Sequence, residues 1–178
     1  GWHGKNTPGD YLFGTILERL LKKTYKMILV ARLNNPLAVI QNLHVVLPVD
    51  TQFEKGFSEL LRTMIDIEKH ANKKMYFYGN EDTINAVRNE MKRKNVKTAI
   101  SYNTTEPTVS FFENLGKKTG ESDLMVFVKA RKKTLSYSHM MSRYPRVINR
   151  YFNDRDIIIV YPEQTVQRPG IFDFSSYT

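Results

Sequence analysis

The sequence contains no cysteine. That excludes disulfides, thiolate metal centres and cysteine nucleophiles at the outset. No apolar run approaches the ~18 residues that a membrane span requires, and no stretch has the tripartite pattern of a signal peptide. Acidic residues are in deficit: 18 Asp and Glu stand against 27 Lys and Arg, a formal net charge of +9. The four histidines, His3, His44, His70 and His139, have no metal-ligand spacing, so no metal site is expected. A Gly-x-Ser-x-Gly nucleophile elbow is also missing. The Ser136, Ser138 and His139 cluster is therefore read as loop, and no catalytic residue is assigned.

What is present suits a folded domain. Hydrophobic residues make up 41% of the 178 positions and aromatics 12%, enough for a sizeable core and too many for a disordered chain. The cations are dispersed as Lys22-Lys23, Lys73-Lys74, Lys92-Arg93-Lys94, Lys117-Lys118 and Arg131-Lys132-Lys133. Most fall near expected helix ends, where positive charge complements the dipole and stays solvated. A basic nucleic-acid-binding module is the second alternative function. It is not the favoured one, and a steep loss of affinity with salt would reveal it.

The chain is organised around Leu43–Asp50, a β-branched apolar run of the kind buried on both faces of a parallel sheet. Strand-like and helix-like patterns alternate after it. The strands are expected at Met75–Tyr78, Lys97–Tyr102 (the most polar, hence an edge), Leu124–Val128 and Ile157–Tyr161. The helices are expected near Glu54–Ala71, from Asn80 or Asp82 through Met91, from Pro107 to Gly116 or Gly120, and over Pro145–Phe152. This alternation predicts an α/β fold with a mostly parallel five-stranded sheet. Ahead of it, Leu12, Phe13, Ile16, Leu17, Leu20 and Leu21 form the stripe of a core-facing helix, and Met27–Ala31 reads as a short buried strand. Tyr76, Phe77 and Tyr78 are expected to divide between core and surface.

Two features together resemble the universal stress protein family. One is Leu-Pro-Val-Asp50-Thr51 at the end of the first strand of the five-strand unit. The other is the ladder Gly1, Gly4 and Gly14-Thr15, with two and nine residues between glycines. The resemblance implies a Rossmann-like sheet of order 3-2-1-4-5 and a nucleotide site at Gly1, Gly4, Gly14, Thr15 and Asp50. Glycines there would let the backbone approach phosphate, and the helix-start N–H groups would bind it. In the family, however, the ladder follows the fourth strand, whereas here it precedes the first. The resemblance therefore implies a tandem. Residues 1–33 would be the C-terminal remnant of a first domain, 43–163 a complete second domain and 164–178 a tail. In the second copy the matching loop, Lys129–Tyr144, has no glycine. Each copy then holds half a site, and no cofactor is expected; AMP or ATP would bind only with the rest of the first domain present.

Pro36-Leu37, His44-Val45-Val46-Leu47-Pro48 and Phe53-Glu54-Lys55-Gly56-Phe57 resemble the cytoplasmic region that follows the membrane domain of bacterial cation:proton antiporters. This implies a regulatory, ligand-sensing or assembly domain at the cytoplasmic face of the inner membrane, without catalysis of its own. The expected partners are the transporter domain of a longer chain, of which the missing initiator Met is taken as a sign, a second copy of the chain, and a small anionic or nucleotide ligand. A free-standing nucleotide-binding universal stress protein is the first alternative. Two structural expectations follow. Met27–Ala31 should pair antiparallel with Ile157–Tyr161 as a sixth strand, with Leu17, Leu20 and Leu21 packed at that joint. Any reduced pocket should be walled by Val49-Asp50, the loop after Gly79 and Lys129–Tyr144.

Overall fold

The computed structural model describes residues 14–71 and 74–164. In chain order the elements are α1 (Thr15–Lys23), β1 (Ile28–Arg32), β2 (Asn42–Val46), α2 (Phe57–Ala71), β3 (Lys74–Gly79), α3 (Glu81–Arg93), β4 (Ile100–Thr104), α4 (Val109–Lys118), β5 (Asp123–Val128), α5 (Tyr144–Tyr151) and β6 (Asp156–Tyr161). They form one six-stranded sheet in the order β1-β6-β5-β2-β3-β4. Five strands are parallel. Counted from the first of them, β2, their order is the expected 3-2-1-4-5 with β4 at the edge.

The sixth strand is antiparallel. β1 runs against β6 from Ile28 opposite Tyr161 to Arg32 opposite Ile157, the pairing that the tandem resemblance implies. A strand this apolar, left alone, would expose apolar side chains and unpaired backbone groups on both edges; pairing with β6 satisfies one edge. The joint continues past the strands, where the Gln164 N–H donates to the Tyr25 carbonyl at 2.8 Å.

Helices cover both faces, and the alternation of side chains along the strands sorts the core into two layers. On one face Leu43, Val45, Leu124, Val126 and Val160 meet Leu60, Leu61 and Met64 of α2 and Ile84, Val87 and Met91 of α3. On the other, Met125, Phe127, Ile157 and Ile159 meet Leu17 of α1, Phe112 and Leu115 of α4, and Val147 and Ile148 of α5. Every residue of β5 and β6 is buried, so these two strands form the centre of the fold. A fully buried side chain of this size contributes roughly 1.5–3 kcal/mol, which makes the two layers the main source of stability.

Several boundaries differ from the sequence reading. β2 ends at Val46, not Asp50. Pro48 supplies no N–H, and Asp50 takes a left-handed conformation, φ 64°, that no strand accommodates. A 3-10 turn, Thr51–Phe53, then precedes α2, which starts at Phe57 and not at Glu54. The edge strand begins at Ile100, three residues later than expected. α3 is capped by Asn80, whose side chain accepts from the Thr83 N–H. α4 runs through Gly116 to Lys118. Gly116 packs against α5: a Cβ there would lie 2.9 Å from the Tyr151 carbonyl oxygen. In α1, Leu17 is buried and Leu21 half-buried, but Ile16 is 82% exposed and Leu20 47%. A helix resting on the sheet edge meets it along a narrower stripe than its apolar residues could fill.

Candidate functional site

The carboxyl ends of parallel strands are where ligands of such sheets bind, near the point where strand order reverses. Here that point lies between β2 and β5, and the chain closes it with its own groups. Glu54, buried in the turn after β2, accepts hydrogen bonds from the backbone N–H and hydroxyl of Ser136, also buried, and from the Gln164 amide at 3.1 Å. Lys55 pairs with Glu163 at 3.1 Å. The Gly56 N–H donates to the Glu163 carbonyl, and a Cβ on Gly56 would lie 2.4 Å from the Glu163 nitrogen. The Glu54-Lys55-Gly56 run thus ties together the α2 start, the loop after β5 and the segment after β6. A charged residue standing just before a helix is the sequence signal for it, though the partners lie far along the chain.

Of the residues assigned to a nucleotide site, Gly1 and Gly4 lie outside the described residues. Gly14 is the N-cap of α1 with extended backbone, φ −75°, a conformation open to any residue, and Thr15 is the first helical residue. Asp50 precedes the 3-10 turn without a side-chain cap hydrogen bond. Its side chain therefore does not cap that turn.

A cleft lies apart from these residues. It has a volume of about 430 Å³ and opens between α1 and the loop that follows β5. α1 contributes Leu17, Glu18, Leu21 and Lys22; the other wall holds Lys129, Arg131, Lys132, Tyr137 and Pro145, and Tyr161 at the end of β6 also lines it. Neither Asp50 nor Gly14-Thr15 lines this cleft. Of the walls expected for a reduced pocket, the Lys129–Tyr144 segment is present, but Val49-Asp50 and the loop after Gly79 are replaced by α1.

Arg131 builds the junction. Its guanidinium donates to the carbonyls of Leu21, Thr24 and Lys26, satisfying the last turn of α1 and the approach to β1. Its Nε is buried without a hydrogen-bond partner among the described residues. Burial lowers the Arg131 pKa, opposed by the charge of Tyr161. Burial likewise pushes the Lys129 ammonium down; Glu18 opposes this and Lys132 adds to it. Lys129 also lies 5.8 Å from the Tyr161 ring centre, and burial drives the Tyr161 hydroxyl well above the usual phenol range. The cleft therefore combines apolar walls with four cations and a single carboxylate.

A second polar cluster sits on the sheet face beside α4. The His44 ring stacks on Tyr76 with centroids 4.6 Å apart, and its Nδ1 lies 3.0 Å from the Tyr78 hydroxyl. Its Nε2 is 3.6 Å from an Asp123 oxygen. Asp123 accepts from Asn42 and from the Gly120 N–H. Burial raises the Asp123 pKa, but His44, Gly120 and Asn42 together hold it below the ordinary value. Burial, with Tyr76 and Asp123 nearby, pushes the Tyr78 pKa up to about 12. Asn42 and Asp123 open their strands, so this Tyr-His-Asp alignment lies towards the amino ends, away from the crevice. Tyr76 and Tyr78 are half-buried on this face, and Phe77 is fully buried on the other.

Among the described residues no group of three His, Asp or Glu side chains could hold a metal, and no helix is long and apolar enough to cross a membrane. The chain is an α/β domain with a mostly parallel six-stranded sheet, consistent with a Rossmann-like fold. No protein-family model matches the chain, and none of the curated proteins does.

Proposed function

We propose that this chain is a regulatory, ligand-sensing domain of a bacterial cation:proton antiporter, placed at the cytoplasmic face of the membrane and built on a tandem of universal-stress-like units. The observation that carries this reading is the joint at β1. A helix and strand of one apolar pattern add antiparallel to the end of an otherwise complete five-stranded unit. They leave Ile16, Leu20, Leu29 and Leu33 exposed beside the sheet's outer edge. Such an edge is what a strand and helix belonging to a further half-domain would present.

In this reading the domain performs no chemistry of its own. The crevice at the strand ends is bridged by Glu54, Ser136 and Gln164, and the loop that the family uses for phosphate is given over to Arg131 and the junction. Regulation is then a matter of coupling: a ligand that binds one arrangement of the two units better shifts transport by that difference in affinity. The test is ion flux in membrane vesicles carrying the full transporter, with and without this region. The reading expects altered gating on deletion. It is overturned by unchanged transport, or by a reading frame ahead of Gly1 that encodes no membrane helices.

A further inference from the structure

We propose that the cleft between α1 and the loop after β5 binds a soluble phosphate monoester carried on a flat or apolar body. The proposal rests on the ligand-sensing reading and names the ligand class and the place. Three observations converge on it. First, a cleft of about 430 Å³ falls within the range of small-molecule sites and is too large for a bare phosphate ion. Second, its charge is one-sided: Lys22, Lys129, Arg131 and Lys132 face it with Glu18 as the opposing carboxylate. Lys22 and Lys132 are exposed, whereas Lys129 and Arg131 are half-buried, so two of these charges stand partly desolvated. The Arg131 guanidinium is engaged by three carbonyls, and an anion there would relieve the repulsion between Lys129 and Lys132. A dianion gains more than a carboxylate from such a site. Third, Leu17, Leu21, Tyr137, Pro145 and Tyr161 supply an apolar and aromatic surface beside the cations. Inorganic phosphate would leave that surface in water, whereas an aryl or alkyl body would cover it.

The position also suits a sensor. One wall belongs to α1 and the other to the loop and strand end of the five-stranded unit, so a ligand in the cleft touches both sides of the joint and stabilises their contact.

Calorimetric titration of the 178-residue chain with phenyl phosphate, inorganic phosphate and phosphatidate vesicles tests this. Phenyl phosphate should bind saturably and about tenfold more tightly than inorganic phosphate. Replacing both exposed lysines, Lys22→Ala with Lys132→Ala, should weaken it by about tenfold with an unchanged circular dichroism spectrum. Tyr137→Ala should remove most of the preference for the phenyl body. Absence of saturable binding overturns the proposal, as does binding indifferent to the lysine pair or binding confined to vesicles. Binding in the cleft together with unchanged transport on deleting the domain would refute the regulatory reading alone. Altered transport without binding would refute the ligand alone.

Discussion

Gly56 and Gly116 show how much a single hydrogen atom decides here. In a helix, Gly→Ala ordinarily stabilises by about 1 kcal/mol. At Gly116 the added Cβ would lie 2.9 Å from the Tyr151 carbonyl oxygen, a backbone atom that cannot swing aside. Gly116→Ala should therefore destabilise, by roughly 1–3 kcal/mol, and Gly56→Ala by at least as much. Urea unfolding midpoints measure both, and a midpoint raised by Gly116→Ala would refute the close α4–α5 approach. Glu54 makes the matching polar case. Its largely buried carboxylate answers Ser136 and Gln164, so Glu54→Ala leaves the buried donors of Ser136 unmet. The expected cost is about 2–3 kcal/mol, with protease cleavage appearing first within the loop after β5.

Glu90 adds a pH dependence. Hydrogen bonds from Arg93 and Ser58, with Lys94 beside them, hold its pKa down at about 2. A carboxylate whose folded pKa lies below its unfolded value stabilises the fold above the unfolded pKa. That contribution fades as pH falls through the folded pKa. Glu90→Gln should thus cost about 1 kcal/mol at neutral pH, modest because Arg93 is exposed, and the difference should close between pH 4.5 and about 2. Parallel thermal unfolding of the two proteins across that window reads the effect directly.

Among the elements, β1 and α1 are the informative pair. An antiparallel edge strand bonds its neighbour through alternate residues. Hydrogen exchange should accordingly show protection at about every second amide of Ile28–Arg32, with the remainder exchanging fast. Uniformly fast exchange along the strand would overturn the joint. Arg131 holds the other end by capping the last turn of α1. Arg131→Ala should loosen α1 and expose Leu17, raising exchange across Thr15–Lys23 while leaving β2 and β5 protected. Basic residues close several helices in the same sense: Lys22 and Lys23 in α1, Lys92 and Arg93 in α3, Lys117 and Lys118 in α4. Part of the positive charge is thereby accounted for by helix ends, each worth a few tenths of a kcal/mol.

At the scale of the whole molecule, the sheet is a complete five-stranded parallel unit with one strand and one helix added at its end. The bonds of Glu54 bridge the crevice where such sheets bind nucleotide, and a cleft lies at the added edge. Magnesium-ATP should therefore show no binding in the low micromolar range by calorimetry. Binding that tight would mean that the crevice opens. A further check is Gly14→Val, which should leave any residual nucleotide binding unaltered unless the glycine ladder is used.

The sequence by itself determined the alternation of buried strands and amphipathic helices, whereas the strand order and the partner of β1 were implied by the family resemblance. Buried strands such as Leu124–Val128 and Ile157–Tyr161 announce themselves by unbroken apolar runs, helices by their spacing, and the lone apolar strand by needing a mate. These are properties of short windows. The end of β2 at Val46, the left-handed turn at Asp50 and the exposure of Ile16 and Leu20 were decided by the tertiary structure. So was the location of the cleft. Glu54 and Ser136 lie 82 residues apart, and Arg131 reaches Leu21 across 110. Hydrogen-bond partners at such separations are chosen by how the folded layers meet, and no local pattern of residues encodes that meeting.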